Sequence, residues 1–283
     1  MPENNEMAAS ITKSFAEIKE ITDCLIAEKK ICNAAVFIDF DNVYYTLREY
    51  GVNIGIERYD LCHLLSEIYN KDILRIFNAY GDFDKIRINL TGLQSSRVQI
   101  RHVYGNGKQE QYRKNASDLE LSLDALEAFY QHPEIDTFAF VTCDSDMMPI
   151  MNRLKFKGKR VILYFIGSNI SQTQDFTAFA DEAYDIVDLL EIVPERTSPE
   201  YWIDDAVKAL KDWKALPVNH KKFLSANWAQ NEISKACCIT HSLALEVLKL
   251  LVRNKIMEVK TVKGKLSYEF VSDNEEPADD END

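Results

Sequence analysis

Four aspartates set the chemistry open to this chain. Asp144 and Asp146 stand one residue apart in the stretch TFAFVTCDSDMMP, directly after the apolar run at 138–141. That run reads as a fully buried strand. A second such run, residues 34–38, ends in Asp39-Phe40-Asp41-Asn42. Asp118 stands in the first turn of a helical pattern, SDLELSLDALEAFY, where the helix dipole favours an anion. In an open parallel sheet, ligands bind beyond the carboxyl ends of the strands. If the two strands are neighbours, their acidic ends share one pocket. Carboxylates crowded there repel one another unless a hard cation neutralises them, and oxygen donors of this kind suit Mg²⁺ or Mn²⁺. No Ser-His-Asp arrangement is readable, and no GxxxxGK loop suggests nucleotide hydrolysis.

The elements that position these groups follow from periodicity. Strand patterns at 34–38, 73–80, 98–103, 138–141 and 160–166 alternate with helical patterns, and a short strand or turn lies at 184–189. The helical patterns fall after Asn42 (closed by Gly51) and at 59–69, 85–93, 117–130 and 149–156. Such alternation specifies an α/β fold, a doubly wound parallel sheet. Ser117 is expected to cap the 117–130 helix, with Leu119, Leu123 and Leu126 on its apolar face. Asp124, six residues after Asp118, is left open between support beneath the site and a solvated face. Residues 7–30 read as one amphipathic helix. Past a linker at 193–199, helices at 200–213, near 219–226, at 231–236 and at 242–254 precede a hairpin at 257–270. That is a small α+β, winged-helix pattern. The expected division is therefore 1–31, an N-terminal helix; 32–194, the α/β domain; 195–271, the winged-helix-like domain; and 272–283, an acidic disordered tail.

The net charge of −13 argues against nucleic acid only until its distribution is read. The last twelve residues carry −7, whereas residues 195–271 carry +4. Within the α/β domain, residues 75–114 hold eight basic residues against three acidic ones, and residues 153–160 hold five and none. Positive surface beside an acidic pocket suits a polyanion held against metal ions. The six cysteines form no CxxC pair, which points to reduced thiols and a cytoplasmic protein. No apolar run is long enough for a membrane span, and the first residues lack a signal-peptide core.

FIDFDN (37–42), KNASDLELSLD (114–124) and VTCDSDMMP (141–149) resemble, in that order, the three signatures of NYN domains. The LabA-like branch of the PIN-like nuclease superfamily is the nearest in pattern. Asp39 and Asn42 fit the first motif. Lys114, Asp118 and Asp124 fit the second, and Thr142, Asp144, Ser145, Asp146 and Pro149 the third. Cys143 stands where glycine is usual. The resemblance implies a PIN-like, Rossmannoid sheet with helices on both faces. It also implies a Mg²⁺- or Mn²⁺-dependent nuclease acting on RNA, most often endonucleolytically. Asp39, Asp118, Asp144 and Asp146 would hold metal, with Asn42 orienting a carboxylate or contacting phosphate. Lys114, with Arg113 and Arg101, would hold the substrate backbone. A homo-oligomer remains compatible with this reading. Two alternatives stand beside it. One is a NYN fold without turnover that binds RNA as a regulator. The other is a phosphatase of the haloacid-dehalogenase type, because Asp39-Phe40-Asp41 also matches that DxD motif.

Overall fold

The computed structural model describes residues 14–55, 59–86, 88–103, 116–167, 176–219, 222–262 and 265–271. The expected start of the N-terminal helix, the substrate loop with Arg113 and Lys114, and the acidic tail lie outside them. By its contacts the chain divides into two units, Met1–Leu47 with Asn53–Val193, and Arg48–Val52 with Pro194–Asp283.

The first unit is built on six strands: β1 Ala34–Asp39, β2 Leu74–Gly81, β3 Gln99–His102, β4 Thr137–Val141, β5 Arg160–Phe165 and β6 Glu182–Asp185. They form one sheet in the order β3-β2-β1-β4-β5-β6, with every neighbouring pair parallel. Every residue of β1 and β4 is buried, as unbroken apolar runs covered on both faces require. The connections reverse direction between β1 and β4, so the crevice beyond their carboxyl ends is the topological switch point.

Helices α1 Phe15–Ala27, α2 Phe40–Leu47, α3 Leu61–Ile73, α4 Leu90–Ser95, α5 Ala116–Gln131, α6 Met148–Phe156 and α7 Ile186–Leu189 complete this unit. On one face of the sheet, Leu121, Ala125 and Ala128 of α5 and Met151 and Leu154 of α6 pack on Phe37, Phe138, Phe140 and Leu163. On the other face, Tyr69 of α3 reaches Tyr164 of β5, hydroxyl to hydroxyl at 3.1 Å.

Several expectations about local structure need correction. The buried stripe of α5 is Leu121, Ala125 and Ala128, while Leu119 and Leu123 are 60% and 52% exposed. Ser117 lies inside α5, which begins at Ala116, and so is not its cap. Residues 82–86 form turns, and the expected helix at 85–93 is displaced to α4, where the Asn89 side chain accepts from Thr91 N. The element at 184–189 is both things: strand β6, then the one-turn helix α7.

The second unit holds α8 Ile203–Ala215, α9 Ala226–Ala236 and α10 His241–Arg253, then the antiparallel hairpin β7 Met257–Val262 and β8 Lys265–Phe270. Of the helix expected near 219–226, the described residues 219 and 222–225 form none. Ser225 instead caps a longer α9 by accepting from Trp228 N, and Thr240 caps α10 by accepting from Leu243 N. Leu210, Ile233, Val247, Leu248 and Leu251 form the core. The five residues Arg48–Val52 belong to this unit through specific bonds. Arg196 Nε donates to Tyr50 O at 2.6 Å and its Nη2 to Gly51 O at 3.0 Å. The same guanidinium lies 4.6 Å over the Trp202 ring, whose Nε1 donates to Arg196 O.

Candidate active site

The crevice between β1 and β4 is locked by side chains that the two strand ends exchange. Asp39, the last residue of β1, is 1% exposed. Its Oδ2 accepts from Thr142 Oγ1 at 3.3 Å and its Oδ1 from Asn42 N at 3.5 Å. Thr142 Oγ1 in turn accepts from Asp144 N at 3.0 Å. Asn42, in the first turn of α2, reaches back across the crevice, where its Oδ1 accepts from Cys143 N at 2.9 Å. The spacing Asp39-x-x-Asn42 therefore serves both strands. Its aspartate ends one, and its amide holds the loop after the other.

Asp144 Oδ1 accepts from Asp146 N at 2.9 Å and so caps the short 3₁₀ turn Ser145–Met147. Capping thus falls to Asp144. Asp146 is exposed, and α6 starts on Met147 without a side-chain cap. Asp118, in the first turn of α5, brings its carboxyl into hydrogen-bonding contact with that of Asp39.

The electrostatics follow from this crowding. Burial, then the carboxyl of Asp118, holds Asp39 well above the usual carboxylate range. Asp118 is also raised, first by burial and then by the charges of Asp144 and Asp146, although its bond with Asp39 opposes this. Burial pushes the Cys143 thiol up to about 12, so it is no nucleophile. The donor set is all oxygen, one member is fully buried, and a second carboxyl presses against it. An all-oxygen set of this kind suits a hard divalent cation, and in this structure no three of these carboxylates yet bring ligand atoms within 4.8 Å of one another. Asp39, Asp118, Asp144 and Asp146 are the residues that would hold it.

Three other residues are placed by partners elsewhere in the fold. Asp41 is half-buried; its Oδ2 accepts from Asp82 N at 2.9 Å, tying α2 to the end of β2, and burial raises its pKa. Asp124 sits on the sheet, where its Oδ2 accepts from Tyr80 OH at 2.6 Å. Arg101, on the edge strand, stands 3.5 Å from that same oxygen and not at the β1–β4 crevice. Sequence reasoning missed a further group. Among the described residues, Asp82, Asp84 and His102 alone bring three potential ligand atoms within 4.8 Å of one another. They lie at the carboxyl ends of β2 and β3, and Lys85 already pairs with Asp82. The Asp82-x-Asp84 step directly after a strand was the available signal.

Comparison with known proteins gives the family. The chain is 31% identical over 104 residues to the uncharacterized protein MJ0482 of Methanocaldococcus jannaschii, which covers 36% of this chain and 42% of the relative. The chain thus spans less than half of that relative's length. Among solved structures it is similar to a protein of unknown function, VPA0982 from Vibrio parahaemolyticus, with 24% identity and a TM-score of 0.46. That match covers 56% of this chain and 94% of the other. The family model of the NYN domain matches residues 33–190, more than half of the chain and all of the sheet just described. By that match, the chain belongs to the NYN domain family.

Proposed function

We propose that this protein is a metal-dependent ribonuclease that hydrolyses internal phosphodiester bonds of RNA. The observation that carries this reading is the buried Asp39 carboxyl in contact with Asp118, with Asp144 and Asp146 beside them, at the switch point between β1 and β4. NYN domains have a PIN-like nuclease fold, and nucleases of this kind generally use divalent metals. Mg²⁺ or Mn²⁺ held by Asp39, Asp118, Asp144 and Asp146 would supply Lewis acidity toward water and phosphate oxygens. The chain's own residues do the positioning. Thr142 and Asn42 hold Asp39 and the loop after β4 in register, and Asp144 stiffens its own turn through Asp146 N. Arg113 and Lys114 would add point charges for the backbone.

The second unit, a three-helix and hairpin arrangement, suits a winged-helix-like module. Its exposed Lys249, Arg253, Lys255 and Lys260 support a nucleic-acid or partner role. Among the described residues no helix is long and apolar enough to cross a membrane. All six cysteines are free, which supports a reducing, cytoplasmic setting. The exposed Leu119 and Leu123 on α5 favour a homo-oligomer.

The test is cleavage of end-labelled single-stranded RNA, double-stranded RNA and single-stranded DNA by wild type and by Asp144→Asn, in Mg²⁺, Mn²⁺ and excess EDTA. Loss of RNA with wild type and metal only supports the reading. Equal trace cleavage by both proteins refutes it and leaves the alternative of an RNA-binding protein without turnover.

A further inference from the structure

A second cavity lies on the sheet face under α5, away from the β1–β4 crevice. Its volume is about 320 Å³, at the small end of ligand pockets. Its floor is a row across three strands, Phe37, Asn78 and Gln99, which the parallel registers place side by side. Asp124, Glu127 and Gln131 of α5 line it as well, with Arg75, whose Nε donates to Asn33 Oδ1 at 2.6 Å, and Arg101, whose Nε lies 3.5 Å from Asp124 Oδ2.

Asn78 is 3% exposed, and its Oδ1 has no hydrogen-bond partner among the described residues. The rest of its amide is fixed. Nδ2 donates to Tyr80 OH at 3.0 Å and lies 3.4 Å from Asp124 Oδ2, while Tyr80 OH donates to that same carboxylate oxygen. Flipping the amide would set Oδ1 against a carboxylate, so the network itself forces the acceptor to stay unmatched. A buried acceptor left open beside a cavity calls for a donor from a ligand. With arginines on the same cavity, the complementary ligand carries N–H donors on a flat edge and an anionic group. A nucleotide has both.

We propose that this cavity binds one nucleotide of the RNA strand, reading an amino-bearing base through Asn78 and holding phosphate through Arg75 and Arg101. The proposal rests on the ribonuclease reading for its substrate class. The distance suits a strand shared between both places. Asp118 and Asp124 are six residues apart on α5, about 9 Å along the axis. That is the rise of roughly three stacked nucleotides at 3.4 Å each. Uracil is the poorest fit, because its Watson–Crick N–H is flanked by two carbonyl oxygens that would meet Asn78 Oδ1.

The experiment is titration of AMP, CMP, GMP, UMP, inorganic phosphate and a tetraribonucleotide into the full chain in EDTA, read by calorimetry. Saturable binding of AMP, CMP and GMP is expected, with UMP and phosphate at least tenfold weaker. Asn78→Leu should weaken nucleotide binding at least tenfold. Because Asn78 is buried, Gln99→Leu on the exposed edge strand serves as the second variant, checked for folding by circular dichroism. No saturable nucleotide binding, phosphate binding as well as AMP, or binding unchanged in both variants each overturns the site. A tetranucleotide that binds no tighter than AMP overturns its assignment to a strand in favour of a free nucleotide. Asp144→Asn separates this from the nuclease reading. Intact nucleotide binding with no metal-dependent cleavage by wild type sinks the nuclease alone, and the reverse sinks the pocket alone.

Discussion

Replacing Asp39 by asparagine tests the site through stability, without a substrate. In the metal-free protein the Asp39 carboxyl is buried against Asp118 and holds its proton well above the ordinary carboxylate range. The folded state therefore binds more protons than the unfolded chain between roughly pH 4 and the raised folded value. With that sign, the stability contribution is fully present below the unfolded pKa and is lost as pH rises through the folded one. Each pH unit inside the window removes about 1.4 kcal/mol. At roughly 2–4 °C per kcal/mol for a domain of this size, each pH unit inside that window should cost wild type in EDTA about 3–6 °C of Tm. Asp39→Asn carries no titrating group there, and its amide can donate to Asp118, so its Tm should be flatter with pH and higher than wild type near neutrality. Saturating Mn²⁺ reverses the order. A cation at a hundred times its Kd adds ~2.7 kcal/mol to a protein that binds it. Wild type should gain it and the variant should not. Differential scanning fluorimetry over pH, with EDTA or Mn²⁺, reads both effects. An Asp39→Asn protein that is less stable than wild type at every pH in EDTA, yet shows the same Mn²⁺ shift, would refute the reasoning.

Three further outcomes follow from the same contacts. Thr142→Val keeps the shape but leaves Asp144 N and Asp39 Oδ2 without their hydroxyl, so it should destabilise by about 1–3 kcal/mol in urea melts and lower cleavage with it. Asp41→Ala should unfold at lower denaturant, because Asp82 N loses its acceptor, while keeping metal-dependent RNA cleavage; loss of a phosphatase activity instead would restore the haloacid-dehalogenase alternative. Gly51→Ala would set a Cβ 2.4 Å from Trp202 at a φ of +61°, so tryptophan fluorescence should report a loss of at least ~2 kcal/mol in the second unit.

The strands and the acidic ends were legible because a buried parallel strand is written as an unbroken apolar run, and residues 34–38 and 138–141 are such runs. The contact of Asp39 with Asp118 was not legible, because it depends on where α5 lies across the sheet. The face of α5 was misread because its leucines, at 119, 121, 123 and 126, do not single out one side. Small residues settle the matter, since Ala125 and Ala128 let the helix approach the aromatic rows of Phe37 and Phe138. A count of large apolar residues gives such alanines no weight. Asp41, Asp124 and the Asp82–His102 group depend on partners 18 to 46 residues distant or on strand pairing, which one-dimensional spacing cannot show. Arg101, expected to hold the substrate backbone, stands on the edge strand beside Tyr80 and lines the neighbouring cavity, a position that strand pairing decides.

The short stretch Arg48–Val52 has a practical consequence for anyone dividing this protein. It lies inside the sequence matched as NYN, yet its backbone carbonyls are the acceptors that Arg196 occupies, and its glycine leaves the gap that Trp202 fills. A fragment starting at Pro194 would leave the Arg196 guanidinium without its carbonyl acceptors and expose the Trp202 indole. A fragment ending there would keep a five-residue piece evolved for the other body. The two halves are therefore interleaved along the chain rather than strung in series, and chimaeras that exchange the C-terminal body should carry Arg48–Val52 with it.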